Sequence, residues 1–345
     1  MTMAKTLVSV LKIVVPLGLG VWLIFYFYGQ LDDEQRKKLF IAFGEANWWW
    51  LLLGAVLGWC SHLSRAWRWR YLLEPMGHKV SFWNSYHATM VGYFMNMLLP
   101  RAGEASRAVT LYRAEGVPFE KGFGTIMAER AVDMILLLGI AAITMALQLD
   151  KLDLFRARIA AFRSSQGTTS TEDPSTMSWG WTLWLAVVLV GAVVAYLLVT
   201  KPALRARLRD GVRGFIAGLR SIYQTRHKGA FLFHTLLIWS LYLAMFWLGF
   251  LALPSTAVIP PAGIMAGFVA GAISIILVQG GIGVYPAFVA LIVSVYMPPV
   301  VGGGSIQPDA LAMGWLLWAA QTVLLISLGG VSLLLISRKR KPLPA

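Results

Sequence analysis

A set of seven polar residues stands out in a chain that is 58% hydrophobic. Asn96, Arg101, Glu104 and Arg107 follow one another closely, and Glu129, Arg130 and Asp133 come soon after. Glu104 and Arg107 are three apart and Glu129 and Asp133 four apart, so each pair shares a helix face. A guanidinium is a planar fork that can bind two oxygens of a carboxylate or phosphate at once. The chemistry open to this set is therefore ion pairing, or the handling of an anionic group. Glu129 and Asp133 resemble a pair of catalytic carboxylates only in their spacing. No HExxH, Walker, GxSxG or metal-ligand pattern accompanies them. Neither enzyme activity nor a metal nor a cofactor is expected.

A second cluster, Arg65-Ala66-Trp67-Arg68-Trp69-Arg70-Tyr71, alternates cations with aromatic rings. That composition suits the headgroup zone of a bilayer, where it would anchor the chain or touch a phospholipid headgroup through Arg65 and Arg68. His62, His87 and His234 are isolated and read as satisfied polar contacts. The single cysteine, Cys60, excludes a disulfide framework and reads as a small buried thiol.

The elements that must position these residues are apolar helices. Only 13% of residues are charged and the mean hydropathy is +0.67, against roughly 25% charged in soluble domains. Six segments are long enough to cross a bilayer: Thr6–Tyr28, Asn47–Ser64, Gly122–Leu149, Ser178–Val199, Ala230–Leu253 and Ala310–Ile336. Val8–Tyr28 is too long for a signal-peptide core and reads as a retained span. Two further stretches read as helix, break, helix. One runs from Phe82 through Pro100–Glu104 to Tyr112. The other runs from Ile264 through Gln279-Gly280-Gly281-Ile282-Gly283 to Tyr296. Such a break frees backbone groups that lipid cannot satisfy, so it must face protein or water. Re-entrant hairpins and pairs of short crossing helices fit this pattern equally. Asp32–Phe43 and Leu152–Phe162 read as interfacial helices, Ser164–Thr176 as a loop, and Lys201–Lys228 as a basic cytoplasmic helix.

Charge orients the whole. With the N-terminus in the cytoplasm and each hairpin returning to its own side, the cytoplasmic segments hold 22 of the 30 Lys and Arg. The net charge of +14 then follows the positive-inside pattern, and no nucleic-acid partner is implied. The parity makes the two halves one unit in opposite orientations. The expected fold is all-α and polytopic, an inverted-topology repeat with about six spans and two oppositely oriented hairpins. The first repeat covers 1–150 with its hairpin at about 82–115, and a connector follows at 151–177. The second repeat covers 178–337 with its hairpin at about 257–297, and a basic tail covers 338–345. In many transporters this arrangement places the substrate site at broken helices near the midplane. Ionisable groups within a span cost about 2.5–3.5 kcal/mol each at its centre. The first set therefore either closes as an ion-pair network stapling hairpin to span, or lines a polar path for a charged headgroup.

These elements resemble a known family. Arg65…Arg68-Trp69…Leu72-Leu73, Asn96…Leu99-Pro100…Gly103-Glu104…Arg107, Glu129-Arg130…Asp133 and Gly280-Gly281-Ile282-Gly283 match, in order, the flippase-like transmembrane region of lysylphosphatidylglycerol synthases. The resemblance covers nearly the whole chain. In the full synthases a soluble domain that transfers lysine from aminoacyl-tRNA to phosphatidylglycerol follows this region. Here the chain ends at Arg338–Ala345, so no such domain is expected. The resemblance thus implies translocation and not synthesis, with an anionic or aminoacylated phospholipid or a polyprenyl-phosphate-type lipid as cargo. The alternative is a non-transporting partner or scaffold of a lipid-modifying enzyme. The implied substrate-binding residues are Arg65, Arg68, Asn96, Arg101, Glu104, Arg107, Glu129, Arg130, Asp133, Gln279, Gly280, Gly281 and Gly283. The implied location is the cell's cytoplasmic, or inner, membrane, with both termini cytoplasmic. Family members often carry Pro before the double glycine and a basic-acidic pair after it; here Gln279 and Tyr285-Pro286 stand in those places.

Overall fold

Nine helices of 11 to 30 residues carry the fold among the described residues, and no strand occurs there. The computed structural model describes residues 18, 20–26, 28–29, 31–99, 102–149, 213, 216, 220–298 and 306–337. The spans expected at Thr6–Tyr28 and Ser178–Val199 fall largely or wholly outside them. So do Arg101, the side chain of Gln279, the second interfacial helix, the loop at 164–176, most of the basic segment and the tail.

Helix α1 (Asp33–Glu45) begins with a capping box, in which Asp32 accepts from the backbone N–H of Gln35 and the Gln35 side chain returns to Asp32. Two residues later α2 (Trp48–Leu73) starts under an Asn47 cap, with its axis turned 69° from that of α1. Sequence ended this helix at Ser64. It continues because Arg65, Arg68, Trp69 and Leu72 recur at helical spacing and all turn inward. Then follow α3 (Phe82–Leu98), α4 (Gly103–Glu115), α5 (Phe119–Ala146), α6 (Lys228–Phe250), α7 (Pro261–Leu277), α8 (Val284–Ser294) and α9 (Pro308–Ser337). By length and composition α6 and α9 can each cross a membrane alone, and α1 with α2 forms a third, bent candidate. At 28 residues α5 is long enough to span, but it carries Glu129, Arg130 and Asp133 in its middle.

Both helix–break–helix patterns are present, and their geometry is shared. The first arms, α3 and α7, are each 17 residues long. Each ends on an extended residue, Leu99 (φ −133°, ψ 131°) or Val278 (φ −124°, ψ 130°). The carbonyl of each then accepts from the N–H three residues on, Ala102 at 3.3 Å and Gly281 at 2.8 Å. The eleventh residue of each first arm is glycine, and both glycines lie against the returning arm. A Cβ on Gly92 would stand 2.9 Å from the Gly103 carbonyl oxygen; one on Gly271 would stand 2.8 Å from the Tyr285 ring. Small residues at these crossings let the arms pack closely.

The packing between halves also repeats. α2 lies along α6. The first arm of one hairpin lies on the last long helix of the other half, α3 on α9 and α7 on α5. The largest apolar cluster joins α1, α2 and α6 to α8 and α9 through residues such as Phe246, Phe250, Val289, Val293, Met313 and Leu316. A second cluster, around Trp69, Leu73, Ala108, Leu111 and Ile126, packs α2 to the first hairpin and α5. Large apolar residues including Ile135, Leu138, Phe233, Val323 and Leu334 remain exposed on the outer faces of the long helices, which suits a hydrocarbon solvent. Cys60 is half-buried on α2 and not enclosed as expected.

Candidate functional site

The second cluster is not an interfacial stripe. Helical periodicity splits it: Trp67 stays exposed under the Arg70 guanidinium, 4.5 Å from ring centre to Cζ, while Arg65, Arg68 and Trp69 are buried. Alternation in sequence suggested one amphipathic surface, but a helix places i, i+3 and i+4 together, so the cations at 65 and 68 enter the interior. There they meet the carboxylates of α5, one turn apart on a single face.

Arg68 faces Asp133 with both terminal nitrogens, Nη1 to Oδ1 at 2.8 Å and Nη2 to Oδ2 at 3.2 Å. Arg65 Nη1 reaches the same carboxylate at 2.7 Å. Arg68 Nε also donates to Glu129 at 3.4 Å, and Arg107 Nη1 on α4 donates to the other Glu129 oxygen at 2.8 Å. The network thus ties α2, α4 and α5 together. Charges so deep survive only with such pairing, because desolvating either ion alone costs several kcal/mol. Neutral groups complete it. Arg68 donates to Thr235 at 3.2 Å and Arg65 to Tyr242 at 3.4 Å. The Arg107 guanidinium lies 3.8 Å from the centre of the Trp69 ring, whose N–H is held by Thr125 at 2.9 Å.

Glu104 and Arg130 form a separate pair at 3.1 Å, more open than the rest. They sit at the mouth of a cleft between the arms of the first hairpin and α5, lined by Thr89, Tyr93, Asn96, Glu104, Arg107 and Arg130 among others. Asn96 does a structural job there. Its side-chain oxygen accepts from the N–H of Gly103 at 2.7 Å, which joins the two arms where the chain turns. Arg107 Nε and Nη2 are buried without a hydrogen-bond partner, and the residue belongs to the cleft wall.

The glycine break of the second hairpin lies elsewhere. Gly280, Gly281 and Gly283 all have positive φ, between 65° and 71°, where a side chain would be strained. The Gly280 carbonyl accepts from Trp318 on α9 at 2.7 Å. The tip packs against α3, and Gly283 interlocks with Gly20, leaving no room for a Cβ on either. None of these glycines contributes to the charge network. Of the sequence candidates, the structure joins Arg65, Arg68, Arg107, Glu129 and Asp133 into one network, with Glu104 and Arg130 beside it. Sequence reasoning missed Thr235, Tyr242, Tyr93 and Thr125, and read Trp69 only as part of the interfacial cluster. Thr235 and Tyr242, seven apart on α6, were two helical turns of polar character in an apolar run, a signal available but not used. His234 bonds Ser64 at 2.8 Å and His87 bonds Ser332 at 3.0 Å, as expected, whereas His62 departs from that expectation with a buried Nδ1 that has no partner.

A family model described as the lysylphosphatidylglycerol synthase TM region matches residues 13–330. The chain is also similar to a UPF0104 membrane protein, MJ1595, of Methanocaldococcus jannaschii, with 31% identity over 74 residues. That match spans 21% of this chain and 22% of the archaeal protein. No solved structure matches.

Proposed function

We propose that this chain, which belongs to the family of the lysylphosphatidylglycerol synthase transmembrane region, moves a phosphate-bearing lipid between the leaflets of a membrane. One observation carries the reading. Four guanidinium groups, Arg65, Arg68, Arg107 and Arg130, are matched by three carboxylates, Glu104, Glu129 and Asp133, and two partnerless nitrogens of Arg107 lie at the cleft. A buried set with an excess cation and vacant donors favours an anion, and a phosphate offers oxygens to a guanidinium fork. Anionic or aminoacylated phospholipids and polyprenyl-phosphate-type lipids share that chemistry.

The cleft would admit the headgroup past Glu104, which holds Arg130 while the cleft is empty and yields it when a phosphate arrives. The acyl chains would remain in lipid against the exposed faces of the long helices. The likeness of the two hairpins supports the expected two-unit organisation. If the units are inverted across the membrane, the hairpins would serve as gates toward opposite leaflets.

A second reading has its own support. The Arg68–Asp133–Arg65 core is closed on itself, as a staple would be, so the chain could instead hold a lipid-modifying enzyme without moving lipid. The purified chain in phosphatidylcholine vesicles containing tail-labelled phosphatidylglycerol or polyprenyl phosphate separates the two. Under transport, an impermeant quencher added outside should reach label that began in the inner leaflet, far faster than in empty vesicles. Equal rates for both anionic lipids with and without protein would defeat the proposal and favour the scaffold.

A further inference from the structure

Behind the cleft lies a second group of vacant donors that the charge network does not use. Tyr93, on the cleft wall, and Tyr242 of α6 both lie against the His62 ring. Three side chains surround that phenol pair. Arg65 places its Cζ 6.0 Å from the centre of the Tyr242 ring. The His62 ring centre is 4.8 Å from that of Tyr93 and 6.4 Å from that of Tyr242. The Trp239 ring centre is 6.3 Å from that of Tyr242. Each of the three holds a buried polar atom with no partner: Arg65 Nε, His62 Nδ1 and Trp239 Nε1. Arg65 and His62 are 3% and 4% exposed, so bulk water does not satisfy them.

Leaving one such group unpaired in the interior is costly. Three around one pair of phenols is not the economy of an inert core. Two are obligate donors, and His62 Nδ1 is a third in the corresponding tautomer. Donors without acceptors, next to a guanidinium, suit an anion with several oxygens. Arg65 and His62 lie on α2, Tyr93 on the first hairpin, and Trp239 and Tyr242 on α6, so the group spans the seam where the two halves meet. Tyr93 belongs both to this group and to the cleft wall.

We propose that Arg65, His62 and Trp239 form an inner anion station, entered from the cleft past Tyr93. The inference rests on the transport reading above and gives the phosphate a second resting place. The cleft, with Arg107, governs capture; the inner station governs passage.

The test uses the full chain in the same vesicles, with phosphatidylglycerol as probe, and the rate is followed as its mole fraction rises. Trp239→Phe and His62→Gln should each lower the maximal rate at least fivefold while leaving the half-saturating fraction unchanged. Arg107→Ala should raise the half-saturating fraction. Tyr93→Phe with Tyr242→Phe should alter the maximal rate alone. Rates are taken per folded molecule, from melting of the same samples. Trp239→Phe and His62→Gln variants that match the wild-type maximal rate, or that lose it only in proportion to unfolded protein, would overturn the inner station and leave the cleft standing. A wild-type protein that moves no phosphatidylglycerol would overturn both.

Discussion

Arg68 and Asp133 meet through two parallel hydrogen bonds, 2.8 and 3.2 Å long, at a point where the Arg68 side chain has no solvent exposure. Arg65 closes on the same carboxylate from one turn away on α2. Asp133 is therefore the hinge-pin of α2 against α5.

Asp133→Ala should be the most damaging single change in the network for folding. It strands two buried cations, and breaking a buried pair by removing one partner costs about 3–5 kcal/mol. Thermal unfolding in detergent checks this. A variant that melts within a degree or two of the parent would show the interior to be far wetter than its packing.

Glu104→Gln should behave in the opposite way. Its pair with Arg130 is partly exposed, so the stability loss should stay below about 1 kcal/mol. Lipid movement should nevertheless change, because Arg130 loses its resting partner at the cleft mouth. Melting and transport measured on one preparation decide the matter; unchanged transport would confine the pair to a surface role.

Gly103→Ala should pry the first hairpin apart. The new methyl would collide with the Gly92 carbonyl and the Asn96 amide, both in the opposing arm. Overpacking of this kind costs about 1–3 kcal/mol. Ala at Gly116, where nothing lies within 4 Å, is a backbone control, since its φ of 73° adds strain without crowding. Limited proteolysis within the hairpin should accelerate for Gly103→Ala; identical digestion to the parent would contradict the close crossing.

Orientation can be read with impermeant thiol reagents. In a Cys60→Ala background, Lys79→Cys should label from the cytoplasmic face and Val258→Cys from the other. Both positions are exposed, and the bias of basic residues assigns them to opposite sides. Labelling of both from one side would discard the topology.

The helices were largely legible in the sequence because hydropathy and breakers act locally. The break at Leu99–Ala102 followed from Pro100 and Gly103, and that at Val278–Gly283 from its glycines. The inward turn of Arg65 and Arg68 was harder to see. Their neighbours Trp67 and Arg70 carry the same chemistry, and only the partner carboxylates on α5 decide which face is interior. The acidic pair and the arginines were each visible alone, but their meeting is a property of packing across 65 residues of chain. Asn96 has a second part that its place beside charged residues does not reveal. Its oxygen accepts from Gly103 N–H, a bond set by how the hairpin turns, while the residue also lines the cleft. Tyr93 and Tyr242 passed unnoticed because tyrosine in a span reads as interfacial.

Gly20 and Gly283 touch so closely that neither has room for a side chain, and the same residue 20 abuts the Ile282 carbonyl. Two backbones in such contact behave as a single mechanical part. The tip of the second hairpin cannot travel without carrying the segment around residue 20, some 260 positions away in sequence. Any stroke made by that tip is therefore geared to the segment around residue 20, and load applied at one is felt at the other.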